Sequence, residues 1–222
     1  MANSKSLGNS YEREFIKKLS KWMLGTDEKL VAWRNIHSGS ISTIMEKNNK
    51  DGSNLSGDFQ CLMLEYQPFF DKFHIDSKSY KEMNFCMINE KNQKSNSILN
   101  QWKKTVDESL RAGKIAMMPV KIRDRKTPEM IFMPFGYVDL NYFFNLGAMI
   151  YIFENLDPFY NCVVILQDFF FNKVTYEDFW NFYKEKNVKN SFMTYEDFLE
   201  GAEIDIKSIE AQEELREFYR NK

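Results

Sequence analysis

Two stripes of helical period constrain this fold more than any other feature. Over residues 9–24, Tyr11, Phe15, Leu19 and Trp22 recur three or four apart, with Ile16 and Met23 flanking them. One face of that helix is apolar and has to be covered. Gly25-Thr26-Asp27 ends it. Over residues 96–112, Leu99, Trp102, Val106 and Leu110 repeat the pattern, and Gly113 stands where a C-cap glycine belongs. The segments around these stripes have strand character. Residues 30–36, 57–64, 73–80, 114–122 and 129–135 read as strands, with a turn at 67–72, a charged turn at 123–128 and a polar loop at 38–56. The order is helix, three strands, helix, two strands, which predicts an α/β fold with helices covering a sheet.

Beyond Gly136 the character changes: Phe and Tyr crowd the chain and Lys and Arg become scarce. Thr175-Tyr-Glu-Asp-Phe179 and Thr194-Tyr-Glu-Asp-Phe198 begin alike. Each has a capping residue followed three positions on by an acid, so each reads as a local helix start rather than a unit of a repeat array. The chain therefore divides into a core at 1–135 and an acidic, aromatic-rich, partly helical region at 136–222.

With 222 residues, 43% of them hydrophobic and 28% charged, the chain can bury a core. Its strongest apolar stretches, 142–153 and 163–171, are too short to cross a bilayer. Residues 1–6 lack the apolar run of a secretory signal. Cys61, Cys86 and Cys162 are widely spaced and odd in number, which suits reduced thiols in a cytoplasm better than a disulfide frame. The net charge of −2 hides an asymmetry, because residues 1–126 carry +7 and residues 127–222 carry −9. A basic first half suits a polyanion, since Lys and Arg replace counterions condensed on phosphates. Solvated faces on two unlike regions would give the same balance.

The chemistry is concentrated around His74-Ile75-Asp76-Ser77-Lys78. In a strand, alternate residues share a face, so Asp76 and Lys78 project to one side with His74, and Phe73, Ile75 and Ser77 to the other. Asp58, directly after Gly57, is expected to pair across a hairpin from that strand. Glu12 precedes Ile16 by four and sits at the edge of the buried stripe, whereas Glu14 is followed by Lys17 and Lys18 in the ordinary solvated pairing. Carboxylates converging beside a lysine form the minimal kit for metal-assisted phosphodiester hydrolysis. Oxygen ligands hold a hard cation, and an ammonium positions water and stabilises developing charge.

Gly8-x-x-x-Glu12-Arg13-Glu14, then Arg34, Ser38-Gly39-Ser40, Gly57-Asp58 and Asp76-Ser77-Lys78, in that order, closely resemble the archaeal-type Holliday junction resolvases of the PD-(D/E)xK nuclease superfamily. The resemblance continues through Arg111-Ala112-Gly113-Lys114 and Val120-Lys121 and fades near Phe135. It implies a nuclease core with a mixed central β-sheet flanked by helices. It also implies Mg²⁺, with Mn²⁺ substituting, held by Glu12, Asp58 and Asp76, and Lys78 assisting the nucleophilic water. Arg13 and Arg34 would contact DNA phosphates, and Ser38 would lie near the scissile strand. Asp76 stands where Glu is more usual before x-Lys, which the superfamily signature permits. Glu65-Tyr66-Gln67 is an alternative acidic motif, but only Asp76 keeps the lysine.

Several further residues carry two readings each. His74 could serve the site or simply fill the core, and His37 fits a loop or phosphate contact. Gln101 lies where related nucleases often carry Gln or Lys near the metal, or on a solvated flank. Lys103 and Lys104 suit a DNA backbone or water. Trp102 reads as core. The expected function is structure-selective cleavage of branched DNA, a four-way junction foremost, by a homodimer in the cytoplasm of a bacterium or phage-infected cell. A restriction-type or nicking endonuclease on duplex DNA is the alternative within this chemistry, and a non-catalytic DNA- or protein-binding module is the alternative outside it.

Overall fold

The computed structural model describes residues 4–35, 57–81, 97–123, 127–134, 142–143, 146, 150–153 and 160–185. His37, Ser38, Cys86, the predicted loop at 38–56 and the second Thr-Tyr-Glu-Asp-Phe segment lie outside the described residues. Helix α1 (Ser4–Leu24) is followed by β1 (Ala32–Arg34) and β2 (Phe59–Cys61). A 3₁₀ turn at Leu64–Tyr66 leads into a short helix, α2 (Gln67–Lys72), then β3 (Phe73–Ile75) and β4 (Lys78–Tyr80). Helix α3 (Ser97–Arg111) precedes β5 (Ile115–Ile122) and β6 (Met130–Pro134). Strands β7 (Ile150–Phe153) and β8 (Cys162–Leu166) and helices α4 (Gln167–Lys173) and α5 (Tyr176–Tyr183) complete the described fold.

The central sheet is mixed. Its order is β3-β5-β6-β8-β7, with β4 also on β5; β3 and β4 run parallel to β5, and the remaining pairs are antiparallel. Strand β5 shows how the sequence builds two faces. Ile115 and Met117 enter one apolar cluster with α1, α2, α4 and α5, while Ala116, Met118, Val120 and Ile122 enter a second with Ile98, Trp102 and Val106 of α3. The period of two thus sorts one strand into two cores, as expected for a sheet covered on both sides.

Three expectations need correction. The second and third predicted strands do not form a hairpin: β2 pairs with β1 as a separate antiparallel ribbon, Trp33 opposite Gln60. The predicted turn at 67–72 is helix α2, because Pro68 is tolerated in a first helical turn and Phe69 and Phe70 supply a buried face. The predicted strand at 73–80 is interrupted at Asp76-Ser77, although its register on β5 carries through, from Ile75 opposite Met117 to Lys78 opposite Val120. Pro119 explains the gap. It has no N–H to give to the Asp76 carbonyl, where an unbroken parallel ladder would bond.

The sheet continues past residue 135. Strand β8 pairs with β6 from Met130 opposite Leu166 to Pro134 opposite Cys162. Trp22 of α1 packs against Phe170, Phe171, Tyr176 and Phe179, with centroids 5.0–6.1 Å apart, and its indole donates to the Val174 carbonyl at 2.6 Å. Phe73 of β3 packs tilted against Phe179 and edge-to-face against Tyr183, with centroids 5.5 and 5.1 Å away. These later aromatics therefore fill the same core as the first helix. Thr175 caps α5 as predicted, its hydroxyl accepting from the Asp178 amide at 3.1 Å. No helix among the described residues is long and apolar enough to cross a membrane.

Candidate active site

The site is assembled where the β1–β2 ribbon meets the outer edge of β3. Asp58 donates its amide to the Ile75 carbonyl at 2.8 Å, and its own carbonyl accepts from the Asn35 amide at 2.7 Å. Gly57 makes that approach possible. Its φ of 94° is in the left-handed region, and a methyl group there would come within 3.1 Å of the Ile75 carbonyl oxygen. Asp58 Oδ2 then accepts from the Ser77 amide at 2.7 Å and its hydroxyl at 3.1 Å. Asp58 thus reaches Asp76-Ser77 without a ladder between β2 and β3.

Asp76 faces the α3 side of the sheet and is 6% exposed. Its amide donates to the Met117 carbonyl at 3.0 Å. Lys78 Nζ donates to Oδ1. From α3, Gln101 Nε2 donates to Oδ2 at 3.2 Å and Thr105 Oγ1 at 2.8 Å. Alternation along β3 and β4 brings Asp76 and Lys78 to one face and Ser77 to the other, and Asp58 meets them around the strand edge.

The electrostatics are those of crowded carboxylates. The Asp58 carboxyl is pushed up to about 7, first by burial, then by the charge of Asp76, with Glu12 adding to it; Lys78 and the Ser77 amide pull the other way. Burial works against the Lys78 ammonium, but the charges of Asp76 and Asp58 more than offset it and raise its pKa. Lys78 is therefore held as a cation.

The remaining predicted residues separate into groups. Glu12 is half-buried on α1 and pairs with Arg34 of β1. Arg13 is exposed on α1. Lys104 is exposed and lies 3.7 Å from Glu108, and Lys103 Nζ sits 5.3 Å over the Tyr160 ring. His74 is 2% exposed beneath α3, with Nε2 3.7 Å from Glu108; that distance is too long for a hydrogen bond. Glu65 is exposed in the 3₁₀ turn, and Gln67 donates to Asp71 at 2.8 Å. Trp102 is core, 0% exposed.

The pairing expected of Glu14 is found, with Lys18 at 4.0 Å, but it extends further. The Glu14 carboxylate meets Lys121 of β5 at 2.6 Å, and Lys121 also meets Glu129 at 2.8 Å, so Glu14 belongs to an ion-pair network rather than to a merely solvated face. Sequence reasoning missed Thr105. The available signal was its position four residues after Gln101, which places both on one flank of α3.

The donor set fits a hard divalent cation. It offers carboxylate oxygens; burial first and the charge of Asp76 second raise the Asp58 carboxyl, and that repulsion is what a cation held by both acids would relieve. Among the described residues no three carboxylate, imidazole or thiolate groups converge as a finished cage; Glu12 is engaged with Arg34.

No curated protein and no solved structure matches this chain. A family model described as "Phage putative PDDEXK endonuclease" matches residues 3–181. That match takes in both helices of the original pattern, the Asp58–Asp76–Lys78 cluster, and strand β8 with α4 and most of α5. The chain belongs to this family of phage PD-(D/E)xK endonucleases.

Proposed function

We propose that the protein is a Mg²⁺-dependent endodeoxyribonuclease whose site is Asp58, Asp76 and Lys78, with Glu12 as a further metal ligand. The observation that carries this reading is the approach of Asp58 to the Asp76-Ser77 break, where the Asp58 carboxylate accepts from Ser77 and Lys78 donates to the Asp76 carboxylate. A divalent cation there, Mg²⁺ or Mn²⁺, would polarise the scissile phosphate and acidify a water. The chain's own residues do the rest. Asp58 and Asp76 supply the oxygen ligands. Lys78, held cationic by its neighbours, keeps its proton and donates hydrogen bonds, so it orients the attacking water and stabilises negative charge. Arg13, Arg34, Lys103 and Lys104 are the candidates for phosphate contact, and Gln101 steadies Asp76.

Branched DNA is the proposed substrate, a four-way junction foremost, supported by the order and spacing of the Glu12, Asp58 and Asp76-x-Lys78 motifs. Resolving a junction requires two cuts at symmetric positions, and a two-fold homodimer would supply two such centres. The test compares a four-way junction with linear duplex of the same sequence in Mg²⁺. Paired symmetric cuts on the junction, with little cutting of duplex, are expected. Equal cutting of both, or single nicks in duplex by a monomer, would replace this reading with a restriction-type or nicking enzyme.

A further inference from the structure

We propose that Thr105 is a positioning residue that decides which oxygen of Asp76 is offered to the metal. This rests on the reading of Asp76 as a ligand and adds a residue that neither the motif pattern nor the family match assigns.

Both donors from α3 fall on the same oxygen. Thr105 Oγ1 lies 2.8 Å from Asp76 Oδ2 and Gln101 Nε2 lies 3.2 Å from it, while Oδ1 takes only Lys78 among the described donors. Thr105 is 0% exposed, so no water competes for its hydroxyl. That hydroxyl also lies 2.9 Å from the Gln101 carbonyl, the usual partner of a threonine in mid-helix. Its single proton has three acceptors in reach, these two and the Met118 sulfur at 3.7 Å, and the charged carboxylate is the strongest. Thr105 therefore binds Asp76 to α3, and its second contact lies in the turn that carries Gln101.

The consequence is rotational. An aspartate beside a strand break has lost part of its backbone restraint. The Asp76 amide still donates a hydrogen bond to the Met117 carbonyl, but Pro119 has no N–H to give to the Asp76 carbonyl. With Oδ2 fixed by α3, the carboxylate plane is set and Oδ1 stays with Lys78, whose charge also acts on Asp58. Without the Thr105 hydroxyl, Oδ2 keeps one long bond from a half-exposed glutamine. The carboxylate can then turn both oxygens toward Lys78, a geometry that satisfies the ammonium and opposes a cation.

Mn²⁺ binding to the full-length protein without DNA, followed by electron paramagnetic resonance, tests this apart from turnover. Thr105→Val keeps the shape and removes the hydroxyl; Thr105→Ser keeps the hydroxyl. Loss of such a supporting hydrogen bond weakens metal binding about 10–100-fold. Thr105→Val is expected to fall in that range, with Thr105→Ser close to wild type. If the valine variant does not fold, Thr105→Ala against Thr105→Ser gives the same one-hydroxyl comparison. Wild-type Mn²⁺ affinity in the hydroxyl-free variants, with only a lowered Tm, would reduce Thr105 to a packing residue. Asp76→Asn binding Mn²⁺ as tightly as wild type would overturn the reading of Asp76 itself, and the role of Thr105 with it.

Discussion

Arg34 donates through Nε to the Glu12 carboxylate, linking β1 to α1 beside the site, and the same Glu12 charge reaches Asp58. Arg34 therefore pairs with one of the carboxylates proposed as metal ligands. A guanidinium so placed has two competing partners, since phosphate offers it the same bidentate acceptor geometry. Replacing it should separate the two roles. Arg34→Gln is expected to bind Mn²⁺ more tightly than wild type without DNA, and to bind DNA more weakly with a salt slope shallower by about 0.9. Titrations at several salt concentrations read both effects. An unchanged slope would remove Arg34 from the DNA interface.

The raised pKa of Asp58 predicts a pH dependence. In the metal-free protein the folded state holds this proton up to about 7, whereas an aspartate in the unfolded chain releases it at its ordinary value of 3.8. Between those values the folded state binds more protons, so this group's contribution to stability falls as pH rises from about 4 to about 7 and then levels off. Asp58→Asn should abolish cleavage yet raise the metal-free Tm at pH 8 by on the order of a few °C, with little change at pH 5. At limiting metal, cleavage by wild type should rise through about pH 7. A lower Tm for Asp58→Asn at pH 8 would contradict the crowding of carboxylates.

The Glu14–Lys121–Glu129–Lys18 network is predicted to be structural. Lys18 and Lys121 both bond Glu129, at 2.6 and 2.8 Å, and tie α1 to the β5–β6 turn. Glu129 is the better shielded acid, 17% exposed against 41% for Glu14. Glu129→Gln should cost about 1–3 kcal/mol in urea unfolding, and Glu14→Gln less, with cleavage retained by both. Loss of cleavage in a folded Glu14→Gln protein would mean that the wrong acid on α1 was chosen.

Much of this was legible in the sequence. The stripes of α1 and α3, the caps at Gly113 and Thr175, and the shared face of Asp76 and Lys78 follow from local periodicity and are found in the structure. What escaped depends on contacts distant in sequence. Asp58 reaches Asp76 through a ribbon with β1 and a left-handed Gly57, not through a hairpin. Glu14 finds Lys121 more than a hundred residues away. The break at Asp76 is caused by Pro119 on the neighbouring strand, and no period within residues 73–80 can express it. Thr105 was missed because its spacing of four from Gln101 puts both on one flank of α3 without saying that this flank meets Asp76.

The aromatic region beyond residue 135 gives a prediction about folding. Its rings cover Trp22 and Phe73, and β8 supplies a neighbour for β6. Deleting residues 137–222 should leave a protein without cooperative unfolding, and Trp22→Ala should cost about 3–5 kcal/mol. Circular dichroism melts decide the matter. A truncated chain that melts cooperatively near the wild-type Tm would make residues 1–135 an independent domain.

The most direct test is cleavage of DNA by the purified full-length protein in Mg²⁺, in Mn²⁺ and in chelator, with Asp76→Asn alongside. Wild type is expected to cut only with the divalent ion, and Asp76→Asn to fall to the level of the chelated control while still folded and still shifting DNA in a gel. Cutting by Asp76→Asn at the wild-type rate, or undiminished cutting in chelator, would contradict a metal-dependent centre at Asp58, Asp76 and Lys78.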